Sequence, residues 1–162
     1  MSGTRKLLIF GGLALALWGM GWGLAYAVFF EHQMLDRMGG QISSGFMHAA
    51  ERNMPAADAA LGAYAHSQFN YVRQVDVHSH WIGLAMVLIV LGIAFDRLAF
   101  DDRKRFCLAL LLVVGSVIFP LGVILQTVTA GALPSALAVT GAALVTVGLA
   151  GAVLGFVRQS ST

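Results

Sequence analysis

The chain has 162 residues, of which 58% are hydrophobic and only 11% are charged, and its mean hydropathy is +0.78. A soluble domain of this size carries about 25% charged residues, so the composition excludes an ordinary globular domain. A net charge of +2 gives no basic surface for nucleic acid, and a single cysteine, Cys107, excludes an intramolecular disulfide or a paired-cysteine metal site.

After the basic start Arg5-Lys6, Leu7 to Phe30 contains no Asp, Glu, Lys or Arg. About 20 apolar residues cross a bilayer core, so this run is one span. Ala25-Tyr26-Ala27 resembles a signal-peptidase site, but the apolar run exceeds the usual 7–15 residues of a signal sequence. The segment is therefore read as a retained helix. Val77 to Phe95 is a second uncharged run, and Phe106 to Val157 is a third, long enough for two spans divided near Ala130-Gly131-Ala132-Leu133-Pro134. The expected fold is all-α: one integral membrane domain over 1–162, a four-helix bundle with spans at about 7–30, 78–97, 106–129 and 134–157. Gly19-xxx-Gly23 and Gly151-xxx-Gly155 are small-residue patterns that permit close helix contact.

Between the first two spans lies the one long polar stretch, residues 31–77. It is expected to form an extended helical hairpin. The first limb continues the first helix, with a bend at Gly39-Gly40. Pro55 suits the first turn of a second limb, with Asn53 as its cap. No proline follows until Pro120, so one helix is expected to run from this limb into the second span. Orientation follows from the basic residues. Arg5, Lys6, Arg97, Arg103, Lys104, Arg105 and Arg158 lie on the side of the termini, and only Arg37, Arg52 and Arg73 lie on the other. The positive-inside rule puts both termini in the cytoplasm and residues 31–77 outside; in a bacterium the membrane would be the inner one.

All five histidines, His32, His48, His66, His78 and His80, fall in or at the edge of the polar stretch. Ionisable groups near the bilayer mark functional sites more often than structural ones. His32 and His80 are expected at the outer membrane boundary and His48 and His66 farther out, so that two facing pairs are candidate axial ligands for b-type haem. His78 lies two residues before His80 and points about 200° away on a helix, so it is an alternative ligand, not a partner of His80. Asp36 and Asp76, four residues from His32 and His80, are candidates to hold the imidazole N–H groups. Met34 and Met47, among the four methionines of this stretch, are alternative ligands suited to copper. Tyr64, Phe69, Tyr71 and Trp81 are candidates to border a planar or quinone-like ring.

The sequence His78-Ser79-His80-Trp81-Ile82-Gly83 resembles the histidine-bearing helix starts of membrane haem proteins. The resemblance covers six residues and assigns no family and no further residue. No GxSxG, HExxH or Walker-type motif is present, so no hydrolase is indicated. The expected function is electron transfer by a membrane haem b protein, and an oxidoreductase component is left open. The alternatives are copper binding by the same histidines and a cofactor-free accessory or assembly subunit of a larger membrane complex. Expected partners are the lipid bilayer and other membrane subunits or an electron-transfer protein on the outer face.

Overall fold

A computed structural model describes residues 1–129 and 131–160. Among them there is no strand. Helix α1 spans Gly3–Tyr26 and passes through a π-helical turn, Ala27–Glu31, into α2, His32–Ala50. Helix α3 runs unbroken over Met54–Ala94 and ends in a 3-10 turn at Phe95–Arg97. Helices α4 and α5 span Asp102–Leu125 and Ala132–Ser160. Four helical stretches, Gly3–Ala50, Met54–Arg97, Asp102–Leu125 and Ala132–Gln159, are long and apolar enough to cross a membrane. The anticipated division between the last two contains Ala130, which lies outside the described residues; Gln126–Val128 form a turn before it and α5 begins just after it.

The expected bend at Gly39-Gly40 is absent, because α2 continues through both glycines. Each glycine costs about 1 kcal/mol against alanine in a helix. That cost is outweighed once the same helix packs along its length on α3, as at Gly45 against Ala60 and Leu61. The chain reverses at Glu51–Asn53. The Asn53 N–H donates to the His48 carbonyl, and Arg52 takes a left-handed φ of 58°. Asn53 then caps α3, its Oδ1 accepting from the Ala56 N–H at 3.3 Å, with Pro55 in the first turn. A left-handed non-glycine residue costs roughly 1–2 kcal/mol. Arg52→Gly is therefore expected to stabilise the fold by about 1 kcal/mol, read as a higher thermal midpoint; a lower midpoint would mean that the Arg52 side chain holds the turn.

Glycines set the helix spacing. An added Cβ at Gly12 would meet the Ala85 carbonyl, one at Gly19 the Trp81 Cβ, and one at Gly92 the Ile9 side chain. These contacts make α1 and α3 antiparallel neighbours. Gly115, Gly122, Gly141 and Gly148 do the same for α4 and α5. Both small-residue patterns anticipated from sequence are contact positions: Gly23 seats His78, Gly151 faces Leu108 and Gly155 faces Phe100. The core between the two helix pairs is built from Leu8, Val77, Trp81, Ala85, Leu88 and Leu112, all buried.

One end of the bundle gathers both chain ends and the α3–α4 connection. Ser2 caps α1 and its hydroxyl donates to the Asp96 carboxylate. The Ala99 N–H donates to the Gly155 carbonyl at 3.2 Å, and Arg158 stacks over Phe100. Asp101 caps α4 and pairs with Lys104 at 2.8 Å, which holds its carboxyl below the usual aspartate range. The α2–α3 hairpin projects from the opposite end.

Candidate functional site

The hairpin register decides which histidines can meet. Facing residues of the antiparallel limbs are Gly19 with Trp81, Glu31 with Tyr71, and Gly45 with Ala60 and Leu61. His32 therefore lies across from about Asn70, and His80 from about Gly21. At 1.5 Å per residue the two are offset by roughly 15 Å along the bundle. The same count separates His48 from His66 by about 13 Å. The expectation that each pair shares one level is thus corrected. It set the ends of the two uncharged runs, Phe30 and Val77, at one level, whereas Glu31 faces Tyr71, six residues before Val77. Among the described residues, no group of three or more His, Cys, Asp or Glu side chains is placed to hold a metal ion.

Each histidine instead has a nearby partner. The His32 ring is 87% exposed and lies 3.4 Å from the Asp36 carboxylate, the neighbour anticipated for it. His48 stands 3.4 Å from Glu51 at ion-pair rather than hydrogen-bond geometry. His66 accepts from the Asn70 amide at 3.5 Å on an exposed surface. Asp76 contacts His80 through its backbone: the His80 Nδ1–H donates to the Asp76 carbonyl at 2.6 Å, while the carboxylate of Asp76 lies 3.7 Å from Arg73. The His78 Nδ1–H donates to the Gly19 carbonyl at 2.8 Å.

His78 and His80 point to different helices, as their spacing implies. His78 sits between α1 and α3 against Gly23, whereas the His80 ring meets Phe119 of α4 edge-on at 4.7 Å. A carbonyl accepts only, so Nδ1 carries the proton in both rings. In the neutral imidazole the lone pair is then on Nε2. This is the tautomer of a metal ligand whose other nitrogen is held by the protein.

A second feature lies between α1, α3 and α4. Helices α1 and α4 both lie antiparallel to α3 and approach each other at Gly11 and Val113. The gap there begins as an apolar slot of about 410 Å³ floored by Trp81 and walled by Leu15, Trp18, Val113, Val117 and Leu121. Farther along lies a cleft of about 270 Å³ among Trp22, Tyr26, Phe30, Met34, Asn70, Gln74 and Thr127. Trp18 lines the slot and Trp22 the cleft, one turn apart on α1, each with its ring 6.0 Å from Trp81 in an edge-on contact.

The cleft wall carries unsatisfied polar groups. Trp22 Nε1, Tyr26 Oη and Gln74 Oε1 are buried and have no hydrogen-bond partner in the protein. Buried polar groups almost always have one. Gln74 donates to Thr127 at 3.5 Å through its amide nitrogen, so only its carbonyl oxygen is unpaired. The π-helical turn begins directly after Tyr26 and includes Phe30, whose ring stacks on that of Tyr26 at 6.3 Å. Such single π turns insert a residue into a helix and occur frequently at functional sites. Glu31, at the end of the turn, accepts from the Tyr71 hydroxyl at 3.2 Å, which holds that phenol above its ordinary range.

Of the residues singled out from sequence, Met34 lines this cleft, Trp81 floors the slot and Tyr71 stands beside the cleft. Met47 is on the exposed surface of the hairpin. Trp22, Tyr26, Phe30 and Gln74 were not anticipated. The available signal was Asn70 and Gln74, two amides four residues apart and hence on one face of α3. No protein-family model, curated protein or solved structure matches the chain.

Proposed function

We propose that the protein is an integral membrane subunit of a larger complex, with cytoplasmic termini, that engages its partner through the α2–α3 hairpin. The charge distribution supports the orientation. The observation that carries the partner reading is exposed apolar surface near the tip of the hairpin: Phe46 and Met47 are 73% and 62% exposed, and Leu61, also exposed, packs against the neighbouring Gly45. On α1 and α5 exposed apolar side chains are what lipid covers. On a hairpin that projects roughly 30 Å into water, α2 being 19 residues long, exposed apolar side chains gathered near the tip mark an interaction site. A photo-crosslinking residue in place of Phe46 is expected to join one distinct polypeptide in intact membranes, while the same residue in place of Gln33 is expected to give little product. Equal, diffuse labelling at both positions would contradict the reading.

A second reading keeps the histidines as ligands of haem b or copper. It is favoured by the Nδ1–H bonds of His80 and His78 to backbone carbonyls, which leave Nε2 as the free donor. In this reading His80 is the principal ligand and its counterpart comes from another subunit, since His32, His48 and His66 stand at other levels. His80→Ala is expected to lower the haem content of purified protein, seen in oxidised and dithionite-reduced spectra, and His78→Ala to lower it less. Equal haem in wild type and His80→Ala would remove His80 as a ligand.

A further inference from the structure

We infer that the cleft between α1, α3 and α4 binds a lipid-soluble quinone, with its ring in the polar upper part and its chain in the apolar slot below. The inference is independent of the partner proposed for the hairpin.

Three observations select this ligand. The first is shape. The upper cleft is lined by the aromatic side chains of Trp22, Tyr26 and Phe30, which suit contact with a planar ring. The slot is lined almost wholly by apolar side chains. A molecule filling both has a compact polar head and a hydrocarbon tail.

The second is charge. No Lys, Arg, Asp or Glu lines either part. The nearest basic residue in sequence, Arg73, pairs with Asp76 and stacks over Phe69. A phosphate headgroup is recognised by Arg, Lys or converging backbone N–H groups, and the cleft presents none of these side chains. The head is therefore neutral.

The third is hydrogen-bonding capacity. Trp22 Nε1 is a donor without a partner, and the Tyr26 hydroxyl donates or accepts. Ring carbonyls satisfy both donors. The Gln74 carbonyl oxygen is an unpartnered acceptor and suits the hydroxyl of the reduced, quinol form. These atoms lie just beneath the cleft surface, so side-chain rotation on binding is part of the proposal. The π turn after Tyr26 is the local irregularity that such rotation would exploit.

The protein carries its own reporter. Its three tryptophans, Trp18, Trp22 and Trp81, all border the slot or the cleft. The full-length chain in lipid nanodiscs is titrated with a decyl-chain benzoquinone, and tryptophan fluorescence is followed. The expected result is saturable quenching. Tyr26→Phe and Gln74→Leu each remove one hydrogen-bonding group and are expected to weaken binding roughly threefold to tenfold. Leu121→Trp fills the slot; it is expected to weaken binding of the decyl compound and leave a tailless methylated benzoquinone little affected. Quenching that rises linearly without saturation, equally in wild type and all three variants, would overturn the site. Displacement of the quinone by an equal concentration of an anionic phospholipid, added to otherwise zwitterionic nanodiscs, would overturn the assignment of a neutral ring.

Discussion

Alanine at Gly122 or Gly141 is expected to destabilise the bundle by about 3 kcal/mol, the upper end of the range for overpacking a close contact. A Cβ at Gly122 would lie 2.3 Å from the Ala138 backbone nitrogen, and one at Gly141 would lie 2.3 Å from that of Phe119. Both obstacles are backbone, so no side-chain rotation relieves them, and α4 and α5 must separate. In the membrane setting proposed above there is little hydrophobic force to draw them together again, because tails and side chains are equally apolar; close packing supplies much of the attraction. Gly62→Ala is the control. It lies on α3 in the hairpin with nothing within 4 Å of an added Cβ, and alanine there should gain up to about 1 kcal/mol from helix propensity. Unfolding in denaturing detergent separates the cases. A Gly141→Ala protein as stable as wild type would mean that α4 and α5 do not pack at this distance.

Trp81→Ala is expected to cost about 3 kcal/mol or more, as for other buried tryptophans reduced to alanine. Trp81 is 2% exposed, and its Cβ is seated against Gly19. Its ring touches Trp18 and Trp22 edge-on, so the truncation removes two aromatic contacts and opens the floor of the slot together. Trp81→Phe keeps an aromatic ring in place and should recover most of the loss. The thermal midpoint in nanodiscs reports the stability of each variant. An unchanged midpoint for Trp81→Ala would contradict the packing of α1 on α3 described above.

Much of the helical architecture was legible because uncharged runs and proline positions are one-dimensional signals. Leu7–Phe30, Val77–Phe95 and Phe106–Val157 locate the long apolar helices, and Asn53 with Pro55 locates the start of α3. The unbroken course of α2 through Gly39-Gly40 was not legible. Gly39-Gly40 is the stronger breaker by propensity, but packing of α2 along α3 overrides propensity, and Arg52 accepts a left-handed φ without being glycine. The histidine pairing fails for a separate reason: it sets the ends of the two uncharged runs level, whereas Glu31 faces Tyr71, six residues before Val77, so His32 stands away from the level of His80.

The cleft was illegible for a different reason. Trp22, Tyr26 and Phe30 look in sequence like part of an apolar span with aromatic residues at its boundary. No proline marks the π turn after Tyr26, and the extra residue turns the following helix by about 100° relative to α1. Facing groups on α2 therefore cannot be counted from α1 at 3.6 residues per turn. Only Asn70 and Gln74, polar and four residues apart, hinted at a wet face on α3 where it leaves the apolar run.

The most direct test of the partner reading is the mass of the particle released from native membranes by a mild detergent. The prediction is a 17.1 kDa chain held in fixed stoichiometry with a different polypeptide, and release of the bare chain by the double substitution Phe46→Asp, Met47→Glu. Wild-type protein emerging alone, or only with copies of itself, at a mass unaffected by that substitution, would contradict the account.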